Sequence, residues 1–327
     1  MKKFFVFFGK PFRYAVCFSL LLILFSVYVL LDAFVIPKVY AVINDLPAES
    51  DYITYTTETT EITENSGYEK SENNKISTEE QKEQIIEPVI TEMSYNDENI
   101  DLKIERFDEN GVVFYVAELK ISDAKYLRTA FAKGIFGKNI NEKTSVIAEE
   151  NNAIFAINGD YCGFVDNGVI MRNGRLLREN PRNKRCGLVI DKDGNLLIID
   201  EKALTADKLN AVNAVQCFSF GLTLVVDGEV HINETGKSKD NNPRTAIGQI
   251  EPLHYIFIVV DGRTNASKGM KFPELAQEFK KRGCVTAYNL DGGGSATMWF
   301  NGKVVNSPTD GKYIGEREIS DIIYIGY

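Results

Sequence analysis

The stretch "YIFIVVDGRTNASKGMKFPELAQEFKKRGCVTAYNLDGGG", residues 255–294, decides how the folded part of this chain is read. "YIFIVV" (255–260) and "VTAYNL" (285–290) are apolar or β-branched runs of strand length. Between them, "FPELAQEFKKRG" carries helix signals. Pro273 suits the first turn, Leu275 and Phe279 share a face at i, i+4, and Gly283 supplies the stop. Strand, helix and strand make a βαβ unit, whose crossover leaves the two strands parallel. Both then deliver their C-terminal ends to one edge of the sheet. One ends in Asp261-Gly262-Arg263, the other in Asp291 followed by Gly292, Gly293 and Gly294. A third apolar segment, "AIFAIN" (153–158), runs into Gly159-Asp160. Ligands of open α/β sheets bind outside the carboxyl ends of the strands, so Asp160, Asp261 and Asp291 form a candidate site. Each alone reads equally well as an Asx turn former; the threefold coincidence favours a site. Glycine loses more conformational freedom on folding than any other residue, so the run at 292–294 predicts that something approaches the backbone closely there.

Outward from this unit the chain is dense in hairpin signals. "FDENGVVFYVAEL", "VIMRNGRLL", "GLVIDKDGNLLIID", "GLTLVVDGEVHI" and "MWFNGKVVN" each set Asn-Gly or Asp-Gly between β-branched or apolar runs, where a tight turn needs positive φ. "KTSVIAEENNA" (143–153) is a second helix candidate. The expected fold is α+β: a mixed β-sheet rich in hairpins, with one βαβ crossover and a few packing helices.

The N-terminal third is different. Residues 1–13 carry Lys2, Lys3, Lys10 and Arg13 and read as a cytoplasmic basic segment ahead of the apolar run "YAVCFSLLLILFSVYVLL" (14–31). About 18–22 helical residues cross the ~30 Å hydrocarbon core, so residues 14–36 are expected to be a transmembrane signal anchor. Positive charge ahead of the span orients the N-terminus inward and places the rest outside the cell, in a single-pass membrane protein. The rival is a signal peptide cut after Ala41 in "VYA". Residues 37–99 read as a disordered Thr/Glu-rich stalk, because residues 44–99 hold 15 acidic residues against three lysines and little apolar surface. With the stalk and the basic leader set aside, residues 100–327 are nearly neutral. The low pI therefore says nothing about a ligand, and no basic surface points to nucleic acid.

Four of the five cysteines lie beyond the span. Cys162 and Cys186, both beside glycine, are candidates for one disulfide in an exported domain. Cys217 and Cys284 sit in apolar runs and read as core. With only His231 and His254 available, a Ser-His-Asp or histidine-metal site has little to be built from. His254 opens a strand and is expected to be structural.

"AINGDY" (156–161), "NPRTAIG" (242–248), "VVDGRT" (259–264), "NLDGGGSATM" (289–298) and "GEREISDIIYIG" (315–326), in this order and spacing, resemble the phosphodiester glycosidase family, in particular its membrane-anchored or secreted Gram-positive forms. The resemblance covers most of residues 100–327 and departs from the pattern at Cys162, where an aromatic is common. It implies hydrolysis of a sugar-1-phosphodiester to free sugar and a phosphomonoester, with no obligatory cofactor. Asp291, Asp261 and Asp160 are then the catalytic candidates, since carboxylates can stabilise an oxocarbenium-like centre and activate water. Arg244, Thr245 and Arg263 are candidates to hold the substrate, the arginines by gripping its phosphate bidentately. Asn158, Asn289 and Ser295 are candidate ligand hydrogen-bonders. The N–H groups of Gly292, Gly293 and Gly294 are a candidate anion nest, with substrate lying against them. Asn158 and Asn289 serve equally as strand-end caps, and Glu316 and Arg317 either pair structurally or line the site. Cell-envelope polymers and exopolysaccharides with sugar-1-phosphate links are the natural substrates outside a bacterial membrane. Two other classes stay open. Three carboxylates could hold Ca²⁺ or Mg²⁺ for phosphodiester cleavage at phosphorus, or the domain could be a carbohydrate-binding module. The latter usually shows exposed aromatic platforms, whereas the lone Trp299 reads as core.

Overall fold

A computed structural model of the protein describes residues 10–43, 87–232 and 240–327. Residues 1–9 of the basic segment and most of the acidic stretch, 44–86, lie outside the described residues. An α-helix spans Lys10–Phe34. Its Phe12–Phe34 portion, of mean hydropathy 2.5, is long and apolar enough to cross a membrane and is not buried against the rest of the protein.

The main sheet has nine strands, in the spatial order Glu229–Val230, Thr223–Val226, Thr286–Asn289, Arg244–Glu251, His254–Val260, Val112–Ile121, Ile100–Glu109, Ser94–Asn96 and Val89–Ile90. The predicted crossover is present, through the helix Phe272–Lys281, and His254–Val260 and Thr286–Asn289 do run in the same direction. They are not neighbours, however. Arg244–Glu251 lies between them and pairs antiparallel with both, so every strand pairing among the described residues is antiparallel. The candidate edge therefore collects two strand C-termini and one strand N-terminus. Two of the outer strands, Val89–Ile90 and Ser94–Asn96, come from the stretch read as stalk; folded structure begins upstream of residue 100.

Two smaller sheets complete the core. One has the order Lys303–Val304, Met298–Phe300, Phe155–Asn158, Asp321–Ile325, Leu127–Phe131; the other Arg175–Asn180, Gly168–Arg172, Ala214–Phe218, Cys186–Asp191, Leu196–Asp200. The strand Phe155–Asn158 thus lies in a different sheet from Asp261 and Asp291, contrary to a single shared edge. Phe155, Ile157, Met298 and Phe300 pack onto Tyr255, Phe257, Val259 and Tyr288 of the main sheet. On its opposite face Leu275, Ala276 and Phe279 of the crossover helix cover Ile256, Ile258 and Ala287. The helix Thr144–Glu150 closes the outer side of the second sheet with Ile147, Ala148 and Trp299, which places Trp299 in the core as expected. Layers of helix, sheet, sheet and helix are a standard way to bury one face of every element.

All five hairpins form. Their turns show why the sequence marks them: Asn110-Gly111, Asn173-Gly174, Asp227-Gly228 and Asn301-Gly302 all take positive φ at both residues. The expected Cys162–Cys186 bridge does not form; both are free thiols. Cys162 lies buried with its sulfur 3.6 Å from Ser320 Oγ, while Cys186 starts a different sheet. His254 is structural, its Nε2 2.8 Å from Glu118 Oε1.

Candidate active site

The main sheet and the second sheet are tied together at Asn158. Its Nδ2 donates to the carbonyls of Asp291 at 2.7 Å and Gly159 at 3.1 Å. Its Oδ1 accepts from Thr245 Oγ1 at 2.7 Å and from the Thr297 N–H at 3.3 Å. Asn158 and Thr245 are fully buried and their side-chain hydrogen bonds are made within this knot. Asn289 is buried with Nδ2 on the Leu290 carbonyl. Its Oδ1, like Thr297 Oγ1 and Ser219 Oγ, is buried without a hydrogen-bond partner among the described residues, which is costly in a packed interior.

Asp291 follows directly. Its N–H donates to the Gly159 carbonyl. Its Oδ1 accepts from the Gly292 N–H at 2.9 Å and its Oδ2 from the Ser295 hydroxyl at 2.6 Å. Ser295 thus orients the carboxylate. Burial pushes the Asp291 carboxyl up to about 6, against the hydrogen bonds and the pull of Arg317.

The three glycines leave room for the protein itself. A Cβ on Gly292 would lie 2.7 Å from the Pro243 carbonyl oxygen, and one on Gly294 would lie 2.5 Å from Asp310 Oδ1 and 2.7 Å from Arg317 Nε. Gly293, at φ +62°, has Arg263 Nη2 3.0 Å from its Cβ direction. On the Cβ side, then, the space is filled by the protein. What comes close is a pair of guanidinium groups, Arg263 and Arg317, packed along the turn. Arg263 is exposed and donates to Asn242 Oδ1 at 3.3 Å. Arg317 is half-buried, held by Asp310 Oδ1 through Nε and Nη2 at 3.0 and 2.6 Å, and its charge is felt by Asp291.

Arg244 is not available in the same way. Its Nε donates to the Met270 carbonyl and its Nη2 to the Asp240 carbonyl, and its guanidinium carbon stacks 3.6 Å over the Phe272 ring. Burial pushes it down to about 10. It fastens the loop before its strand to the crossover helix.

The other two aspartates are each held by partners of their own. Asp261 accepts from Asn306 Nδ2 at 2.9 Å and from the Ser307 N–H, and burial raises its carboxyl above the usual range. Asp160 is enclosed. It accepts from the Cys162 and Ser219 N–H groups at 2.9 and 3.1 Å and lies 3.3 Å from Arg172 Nη2. Arg172, itself buried, binds Asp321 Oδ2 at 2.8 Å and stacks 3.8 Å over Phe218. Burial opposes charge on both acids. Arg172 and two N–H donors hold Asp160 below the usual carboxylate range, while Asp321 is pushed up to about 7. Gly159 is required here, because a Cβ would fall 2.5 Å from the Asp321 carboxyl. Asp160 acts on Asp291 only through its field, which raises the Asp291 carboxyl. Asp160, Cys162 and Asp321 are grouped closely enough to suit a metal ion, with the Arg172 guanidinium against both carboxylates.

Arg172, Asp321 and the aromatic group beside the turn escape a reading of the sequence. Tyr161 stacks on Phe164 with centroids 4.5 Å apart, and Phe220 lies 6.2 Å from Tyr161. All three are partly exposed, and Tyr161 is near enough to Arg317 to affect its charge.

A profile of the phosphodiester glycosidase family matches residues 151–326, which contain every one of these site residues. The chain belongs to the phosphodiester glycosidase family. Among its relatives, the mouse N-acetylglucosamine-1-phosphodiester alpha-N-acetylglucosaminidase is 31% identical over 44% of this chain and 30% of its own. The SPbeta prophage-derived uncharacterized protein YomE of Bacillus subtilis is 29% identical over 66% of this chain and 37% of its own. The chain therefore spans about a third of the length of the curated relatives it matches. Among solved structures, the zebrafish N-acetylglucosamine-1-phosphodiester alpha-N-acetylglucosaminidase catalytic domain, auto-inhibited by its pro-peptide, superposes with a TM-score of 0.59 at 25% identity. It covers 71% of this chain and 85% of that one. The phosphodiester glycosidase fold, α+β and built mainly of sheet, is thus shared with that catalytic domain.

Proposed function

We propose that the protein hydrolyses the glycosidic bond of sugar-1-phosphodiesters in cell-envelope or exopolysaccharide material, as a single-pass membrane protein with its catalytic domain outside the cell. The observation that carries this reading is Asp291, a carboxylate with a raised pKa at a glycine turn flanked by Arg263 and Arg317. A base titrating near neutrality is suited to activating water, and two guanidiniums suit a phosphodiester. In the reaction the anomeric C–O bond breaks and its electron pair leaves on the phosphate oxygen, which Arg263 and Arg317 stabilise. Water adds to the anomeric carbon and its proton passes to Asp291. Products are the free sugar and a phosphomonoester. Phosphate is a good leaving group, so strong acid assistance at the departing oxygen is not needed. Asp261, with its own raised carboxyl, is the second acid of this edge. Tyr161 and Phe220 offer apolar surface to a sugar ring.

The relatives named as N-acetylglucosaminidases make an N-acetylglucosamine-1-phosphodiester the first substrate to try. Incubation of the full chain with it, followed by NMR of the products, should give free N-acetylglucosamine and a phosphomonoester, with no loss of rate in EDTA. Release of sugar-1-phosphate, abolished by EDTA, would establish metal-dependent phosphodiesterase chemistry instead. Binding without turnover would make the domain a carbohydrate-binding module.

A further inference from the structure

The strand immediately after the apolar helix, Lys38–Val42, is part of the folded domain. It pairs antiparallel with Ile135–Lys138, and the Ile43 N–H continues the ladder to the Gly134 carbonyl at 2.7 Å. Ala41 and Ile43 pack against the buried cluster of Phe131, Phe136, Cys162 and Ile170. Gly137 makes the pairing possible, because a Cβ there would fall on the Lys38 carbonyl oxygen. The end of the helix is held as well: Asn139 Nδ2 donates to the carbonyls of Ile36 at 3.1 Å and Ala33 at 3.4 Å. Such carbonyls at a helix C-terminus have no partner within the helix.

Two consequences follow. The helix is joined to the domain directly through residues 38–43, so the acidic segment 44–86, which follows them in sequence, does not separate the two. Cleavage after Ala41 would also leave only Val42 of this strand. On the outside, Val35, Ile36, Val39, Tyr40 and Val42 are all 40–60% exposed and continuous with the apolar helix. An uncovered apolar strip with a tyrosine at the end of a membrane span suits the interfacial layer of a bilayer.

The candidate site is close to this strip. Asn139 N–H donates to the Gly163 carbonyl, and the Gly159 carbonyl accepts from Asp291 N–H. Gly163 follows Gly159 by four positions, and an extended chain spans at most about 3.3–3.6 Å per residue. The reactive turn therefore lies within roughly 25 Å of the end of the helix by the same reckoning. We propose that the strand Lys38–Val42 clamps the domain onto the membrane surface, with Val39, Tyr40 and Val42 against lipid, so that the site acts on phosphodiesters carried by that same membrane. The clamp rests on the helix spanning the bilayer, and the substrate class rests on the hydrolase reading above. Holding enzyme and substrate in one surface layer raises their effective concentration without a new contact.

The test uses the full chain in phosphatidylcholine–phosphatidylglycerol vesicles containing a dilute acceptor-labelled lipid. A donor is placed, as a non-natural amino acid, at exposed position 167, near the clamp, or at exposed position 281, at the far end of the crossover helix. Transfer should be strong from 167 and weak from 281. It should fall at 167 when Gly137→Ala and Asn139→Ala are combined, and the intact mass should retain residues 1–41. Equal transfer from the two positions, indifference to the double substitution, or an N-terminus at Val42 would each overturn the clamp. In the same vesicles, one sugar-1-phosphodiester is supplied free and another attached to a bilayer lipid. The lipid-attached probe should be favoured, and the double variant should lower that preference ~10-fold with turnover of the free probe unchanged. An unchanged preference overturns the membrane-substrate claim. If neither probe turns over, that claim falls with the hydrolase reading, while the energy transfer still decides the clamp.

Discussion

Asp291 carries two opposed demands in one side chain. Burial penalises its charged form, while Ser295 and the Gly292 N–H hold it as an acceptor. If it activates water, kcat/KM should rise with pH along a limb whose apparent pKa is about 6, the deprotonated form being the active one. Asp291→Asn should flatten this limb and cut turnover by ~10²-fold or more; near-normal turnover in a folded variant would reduce the residue to a turn former. The same substitution should act oppositely on stability. A carboxyl whose folded pKa is raised favours folding when protonated and loses that advantage as pH rises through the folded value. Asp291→Asn should therefore raise Tm relative to wild type at pH 8, with the gain vanishing near pH 4, as calorimetry across that range would show. Arg172 is the reverse case. It pairs with two buried carboxylates, and Arg172→Met should destabilise the protein by ~3–5 kcal/mol, the cost of leaving buried charge unpaired. Denaturant unfolding measures it, and a loss below ~1 kcal/mol would contradict the account of this cluster.

At the scale of elements, the glycine turn is a device for bringing arginines to the backbone. A Cβ on Gly294 meets only the ends of the Asp310 and Arg317 side chains, which can swing away. Gly294→Ala should thus leave Tm nearly unchanged and lower kcat/KM by roughly 10- to 100-fold, since a preorganised donor is displaced and not deleted. Arg317→Gln should have a similar effect, and combining the two should add little. Additive losses would show that the glycine serves something other than Arg317. The hairpins were legible in the sequence because Asn-Gly and Asp-Gly are the local chemistry of positive φ. The crossover helix was legible from Pro273, Leu275, Phe279 and Gly283. Strand adjacency was not. The strand–helix–strand crossover gives "YIFIVV" and "VTAYNL" a common direction, but it does not say what lies between them. Here Arg244–Glu251, from upstream in the chain, is inserted antiparallel to both.

At the scale of the whole molecule, the site exists because two sheets meet at Asn158. Motifs at 156–161, 242–248, 259–264 and 289–298 are brought together there, and their aspartates, asparagines and glycines were visible in the chain. Their division of labour was not. Asp160 is neutralised by Arg172, and the Arg172–Asp321 bond joins residues 149 positions apart. No local pattern announces such a partner. Likewise nothing in the composition of Arg244 and Arg263 separates the arginine that stacks on Phe272 from the one left exposed at the turn. The account as a whole holds that the scissile bond is the one between the anomeric carbon and oxygen, with phosphate as the leaving group. Hydrolysis of an N-acetylglucosamine-1-phosphodiester in ¹⁸O-water, with mass spectrometry of both products, tests this directly. The account predicts ¹⁸O in the released sugar and none in the phosphomonoester; ¹⁸O in the phosphate product would show attack at phosphorus and contradict it.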